Sequence, residues 1–144
     1  MATFHETNLK YQSYLANLDR NISIAIGTVD HLILDLQREQ MKKRHVTSKG
    51  APINPPYSPS YKKYKNKKYP SITNPNLYET GDFQNKFVMT ANLQKYFIKS
   101  LNWKNAKLTA RYEDLFGIEL SNQPTAKQIT SKAISTHLNN SVFK

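Results

Sequence analysis

Apolar residues in this chain recur at helical steps in some stretches and at alternating steps in others, and between these they give way to Lys, Tyr and Pro. Residues 8–19, NLKYQSYLANLD, place Leu9, Tyr11, Tyr14, Leu15 and Leu18 near helical spacing, which predicts a short amphipathic helix. Residues 21–44 carry the longest helical signal. Ile22, Ile26, Val29, Ile33, Leu36 and Gln40 step by three or four and define one face, with His31, Asp35, Arg38 and Glu39 on the other. Gly27 offers this helix a bend, and Thr28 a cap for a second segment. The basic end, KKRH, suits the negative end of a helix dipole.

The period changes from Lys86 onward. KFVMTA alternates Phe87, Met89 and Ala91 as a half-buried strand, and QKYFIKS supplies a second strand with Tyr96 and Ile98 on one face. The intervening Asn92-Leu93 reads as a hairpin turn. Asn102 can cap a helix from about 103 to 113, with Leu108, Tyr112 and Leu115 on its apolar side. Gly117 lets the chain leave that helix for a short strand, IELS. After Pro124, residues Ala126, Ile129, Ala133, Ile134 and Leu138 mark a terminal helix. The fold class is therefore α+β: N-terminal helices, a small antiparallel sheet, and helices packed on it. With 144 residues the chain reads as a single domain, 1–144.

Between the long helix and the sheet lies a different kind of sequence. Residues 45–79 hold six of the seven prolines, which argues against a long helix or a central strand and for an extended arm or loop. From Lys42 to Lys68 there are nine Lys or Arg and not one Asp or Glu. The whole chain carries a net charge of +11, which suits an acidic partner: DNA, RNA or an acidic protein surface. Within YKKYKNKKY, Lys62, Lys63, Lys65, Lys67 and Lys68 alternate with Tyr61, Tyr64 and Tyr69. Lysines neutralise phosphates and tyrosine rings stack on exposed bases, so this is a candidate nucleic-acid arm. It equally suits a solvated loop, or an arm that docks on a neighbouring subunit. In each case the five lysines are expected outside the core.

Other chemistry is thin. There are no cysteines, so disulfides, thiolate zinc sites and cysteine nucleophiles are excluded. His31, Asp35 and Glu39 fall at i, i+4 spacing, but the apolar stripe opposite favours a solvated polar face over a metal site. His5, His45 and His137 stand alone. No Gly-rich phosphate loop or nucleophile elbow is present. The expectation is a protein that is not an enzyme and takes no cofactor. The first residues, MATFHETNLKYQ, do not read as a secretory signal, and the longest apolar run, ISIAIG, is far short of a membrane span, so no membrane association is expected.

One further stretch invites a structural reading. In NPNLYETGDFQNKFVM, a Thr-Gly pair stands between the Pro-rich segment and a strand-like run. Gly81 can take a positive φ without a Cβ clash, so Thr80-Gly81 is expected to turn the chain sharply, with Leu77, Tyr78 and Phe83 pinning the corner to the core.

Four segments, ILDLQREQMKK, YSPSYKKYK, NLYETGDFQNKF and KLTARYEDLFGIEL, resemble in order and spacing the virion-morphogenesis or tail-completion proteins of tailed bacteriophages, relatives of Mu-type G proteins and lambda-type minor tail protein Z. The resemblance spans residues 33–120. Its markers are the segment from Tyr57, Ser58 and Pro59 to Tyr61, the segment from Leu77 to Phe83, and Tyr112, Phe116 and Gly117. In the last of these the commoner family pattern has a His before the aromatic-Gly pair, where this chain reads Asp114-Leu115-Phe116-Gly117. The resemblance implies a structural, non-enzymatic subunit of a homo-oligomeric ring in the virion neck or tail, assembled in the host cytoplasm. Its partners would be other neck, tail or portal-associated proteins, with the basic arm meeting protein or genomic DNA.

Overall fold

The computed structural model describes residues 2–68, 74–92 and 95–144. Three helices open the chain: α1 (Phe4–Ala16), α2 (Leu18–Gly27) and α3 (Asp30–Lys42). α1 begins four residues earlier than its apolar spacing suggests, because Thr3 and Glu6 form a reciprocal capping box. Glu6 N–H donates to Thr3 Oγ1 at 3.2 Å and Thr3 N–H to Glu6 Oε2 at 2.7 Å. The expected long helix over 21–44 is two helices. Thr28 ends α2 by turning its hydroxyl back onto the Ala25 carbonyl at 2.7 Å, and Val29 opens α3 from a non-helical conformation.

α3 is the spine of the core. Ile33, Leu34 and Met41 pack with Ile53, Phe83, Phe87, Ile98, Tyr112, Leu115 and Ile118. On the face expected to be apolar, Ile22, Ile33 and Gln40 are buried, and Ile26, Val29 and Leu36 are half-buried. Opposite them, Asp35 pairs with Arg38 at 2.7 Å and Glu39 with Lys43 at 3.7 Å.

The hairpin forms where alternation places it. β1 (Phe87–Ala91) pairs antiparallel with β2 (Tyr96–Ser100), matching Phe87 with Ser100, Met89 with Ile98 and Ala91 with Tyr96. Leu93 of the expected turn lies outside the described residues. The flanks are closed by Asn92 N–H donating to the Lys95 carbonyl and Lys95 N–H to Asn92 Oδ1, each at 2.9 Å.

Three more helices complete the described order: α4 (Pro59–Lys68), the single turn α5 (Asp82–Asn85) and α6 (Asn105–Arg111), before α7 (Gln123–Val142) with Pro124 in its first turn. Asn102 does accept from a helix-entry amide, Lys104 N–H at 2.9 Å, but the helix proper starts two residues later than expected.

The expected strand IELS does not form. Residues Leu120–Asn122 make a 3-10 turn, and the backbone before them is claimed by side chains of α3. Gln37 Nε2 donates to the Leu115 carbonyl (3.2 Å) and Gln37 Oε1 accepts from Gly117 N–H (2.7 Å). Gln40 repeats the pattern one turn on, donating to the Gly117 carbonyl (3.0 Å) and accepting from Glu119 N–H (2.8 Å). Ile118 N–H donates to the Tyr96 hydroxyl at 3.1 Å. With these groups satisfied there is no ladder left to build. Both glutamines have no exposed surface, so two polar residues of a helical face are core because of what they hold.

Candidate interface cleft

The basic segment is not a uniformly extended arm. Pro59–Lys68 is helical, and the sequence supplies the reason. Ser58 caps it, its Oγ accepting from Tyr61 N–H at 3.4 Å and its carbonyl from Lys62 N–H at 2.8 Å. Pro59 occupies the first helical position, where its missing N–H costs nothing. Lys65, Lys67 and Lys68 sit in the last turn, favoured by the dipole. The tyrosine rings meet in series, Tyr57 edge-on to Tyr61 at 4.9 Å and Tyr61 tilted against Tyr64 at 5.8 Å between centroids. Tyr69 lies outside the described residues.

The expectation that all five lysines stay out of the core fails at Lys65. Lys62, Lys63, Lys67 and Lys68 are exposed, but Lys65 is only 1 % exposed. It stands four residues after Tyr61, on the same helical side, and that side packs inward. Its ammonium donates to Asn76 Oδ1 at 3.4 Å and lies 5.7 Å from the centre of the Tyr57 ring. Burial pushes its pKa below the ordinary lysine value.

Asn76 is the node that fastens α4 to the Thr-Gly corner. Besides Lys65, its Oδ1 accepts from Tyr57 Oη (3.5 Å) and Tyr78 N–H (3.1 Å), and its carbonyl accepts from Gln84 Nε2 (2.9 Å). Tyr57 Oη accepts in turn from Leu77 N–H at 3.0 Å. Burial is the main cause that pushes the Tyr57 hydroxyl up to about 12.

The turn at Gly81 is as the sequence suggests, though of the three residues expected to pin it Tyr78 is half-buried and stands outside the core cluster. Gly81 has φ +89°, and a Cβ there would stand 3.2 Å from Tyr78 Cε2 and 3.3 Å from Asn85 Nδ2. It opens α5 rather than leading directly into the strand. Phe83 is buried against Phe87 (5.4 Å) and Phe116 (6.1 Å), Leu77 packs on the same core, and Tyr78 carries the Lys42 ammonium 4.0 Å over its ring. Thr80 Oγ1 accepts from Asp82 N–H at 3.4 Å.

The third marker is also structural at its centre. Tyr112 is buried, and Phe116 packs edge-on to Phe87 at 5.3 Å. Gly117 has φ +128° with Ser48 Cβ 2.9 Å from where its own Cβ would be.

Together these segments surround one open cleft of about 680 Å³. Tyr57, Ser58 and Tyr61 form one wall, Leu77 to Phe83 another, and Tyr112 the third with Asn102, Trp103, Lys104, Leu108 and Arg111. Phe116, Gly117 and the outward lysines Lys62, Lys63 and Lys67 are not part of its lining. Sequence reasoning missed Trp103, Lys104 and Arg111. Trp103, the one tryptophan in the chain, is 81 % exposed at the mouth, with the Lys104 ammonium 5.4 Å from its ring. A lone tryptophan beside a lysine, just after a strand and outside any apolar period, was the available signal. Lys104 and Arg111 bring positive charge to the cleft; Glu79, which accepts from Tyr64 Oη at 3.3 Å, and Asp82 bring negative charge. Such a charged, aromatic cleft suits a folded partner surface with Trp, Tyr and Arg as anchors.

Among the described residues, no cluster of three or more His, Asp or Glu is placed to hold a metal ion, and no helix is long and apolar enough to cross a membrane. Compared with known protein families, curated proteins and solved structures, the chain matches none.

Proposed function

We propose that this chain is a structural subunit of a tailed-phage virion, a head–tail connector or tail-completion protein that assembles as a ring at the neck or the head-proximal tail. The observation that carries the reading is convergence: all three marker segments of the resemblance contribute to the walls of one cleft, and its mouth presents an exposed Trp103. Tryptophan is among the residue types enriched at the anchoring centres of interfaces. The role is mechanical and its partners are neck, tail or portal-associated proteins. The test is mass spectrometry of purified particles and their isolated necks, with wild-type chain and with Trp103→Ala plus Arg111→Glu. Many copies per particle, lost in the double variant while the purified variant stays folded, are expected. Particles complete without the chain overturn the reading.

A second reading, a nucleic-acid-binding protein, is favoured by one observation: Lys62, Lys63 and Lys67 all face solvent on α4, in a stretch without acidic residues. Three phosphate contacts give an affinity whose logarithm falls with log salt at a slope of roughly −2 to −3. A flat salt response sets that reading aside.

A further inference from the structure

A second apolar concavity lies away from the cleft. It holds about 560 Å³ between α2, the hairpin and α7, with Ile26, Met89, Ala126 and Ile134 on its walls and Lys95 and Lys127 among its lining residues. The chain also carries an exposed apolar ridge. Tyr14 is the buried residue of α1, while Phe4, Tyr11 and Leu15 are 90 %, 41 % and 47 % exposed. At 100° per residue these three fall within an arc of about 40°, spread over roughly 16 Å of helix. The residues beside them on the wheel, Thr7, Asn8 and Gln12, are uncharged, while Glu6 and Lys10 point the other way. Interface centres are depleted of charge in this manner.

We infer that the α1 ridge of one copy seats in the α2–hairpin–α7 groove of the next copy. This rests on the ring reading above and supplies its subunit contact. The same chain cannot satisfy itself. A single residue, Asn17, joins α1 to α2, and Asn21 Nδ2 locks the junction by donating to the Tyr14 carbonyl at 2.9 Å. Tyr14 further ties α1 to α7 through His137 Nδ1 at 3.0 Å. α1 therefore cannot fold back into the groove that α2 lines. Charge does not oppose this occupant. α4 would bring its lysines against Lys95 and Lys127, whereas the α1 ridge brings none. Because ridge and groove are different surfaces, the contact is head-to-tail, and repetition closes a ring when the rotation suits.

The chain has no cysteine, so single cysteines report the contact directly. Leu15→Cys and Ala126→Cys full-length proteins, mixed in equal amounts and oxidised, should cross-link to each other, with little cross-linking of either alone. Tyr11→Glu with Leu15→Glu changes exposed positions and should leave the fold intact by circular dichroism. Its self-association in sedimentation should be about 30-fold weaker, the loss of one interface hot spot. Leu15→Cys cross-linking to itself would mean ridge against ridge, and overturns the inference. So does unchanged sedimentation of the double variant under conditions where the wild type self-associates, or an absence of cross-link both in solution and in particles. Cross-linked oligomers in solution from a chain absent from particles would instead overturn the ring reading alone. Many copies per particle without the 15–126 cross-link would overturn this contact alone.

Discussion

Replacing Gly81 by Val isolates the corner that places one wall of the cleft. Two costs add. An L-residue at φ +89° meets its own carbonyl, worth about 1–2 kcal/mol, and a β-branched residue sits at the upper end. The new Cβ also lies 3.2 Å from Tyr78 Cε2 and 3.3 Å from Asn85 Nδ2, closer than ordinary contact. Tyr78 is held at its backbone N–H by Asn76 and carries Lys42 4.0 Å over its ring, so its ring must shift by a few tenths of an ångström against these contacts. The sum is about 2–3 kcal/mol for Val and about 1–2 kcal/mol for Ala. For a chain of this size each kcal/mol lowers the unfolding midpoint by roughly 2–4 °C, so Val should lose about 5–10 °C. Asn tolerates positive φ, so Gly81→Asn should fall between wild type and Ala. Thr80→Ser keeps the oxygen that accepts from Asp82 N–H and should be nearly silent. Thermal unfolding followed by circular dichroism measures all four. A Val midpoint within about 1 °C of wild type refutes the argument on the scale just used. Asn as damaging as Val would move the cause from the backbone to packing.

Other consequences are as direct. Gln40→Met should cost about 2–5 kcal/mol in urea unfolding, because it strands two backbone groups, the Gly117 carbonyl and Glu119 N–H, in a buried place. Gly117→Ala should be worse than Gly81→Ala in the same assay, since its Cβ would stand 2.9 Å from Ser48 Cβ. Lys65→Met should flatten the pH dependence of stability. The folded pKa of Lys65 is below its unfolded value near 10.5, so between the two the unfolded chain binds more protons and wild-type stability rises with pH. Urea midpoints from pH 7 to about 10.5 that rise equally in both proteins would refute this.

What the sequence made legible was whatever local pattern decides. Phe87, Met89 and Ile98 alternate, so the hairpin was readable; Thr80-Gly81 needs a positive φ that glycine alone takes cheaply, so the corner was too. One miss was a local signal misread, and in the others tertiary partners decided the outcome. Prolines argued against helix in residues 45–79, yet Pro59 stands at the one helical position that welcomes it. Lys65 reads as surface by type and is drawn inside by Tyr57 and Asn76 from either side of its helix. Ile118 and Glu119 read as a strand, but Gln40, nearly eighty residues away, took the Glu119 N–H and the Tyr96 hydroxyl took that of Ile118. Trp103 belongs to no period, so only the folded chain shows what stands around it.

The glutamine pair also says something about time. Each of its bonds spans 77 to 80 residues, and closing a loop of that length costs roughly 4 kcal/mol of chain entropy beyond a constant. The helices and the β1–β2 hairpin close far shorter loops and are expected to form earlier. Contacts absent from the folding barrier govern how fast a protein comes apart, not how fast it assembles. Loss of Gln37 or Gln40 is therefore expected to leave the refolding rate near that of wild type and to steepen unfolding, so that these two side chains set the lifetime of the native chain.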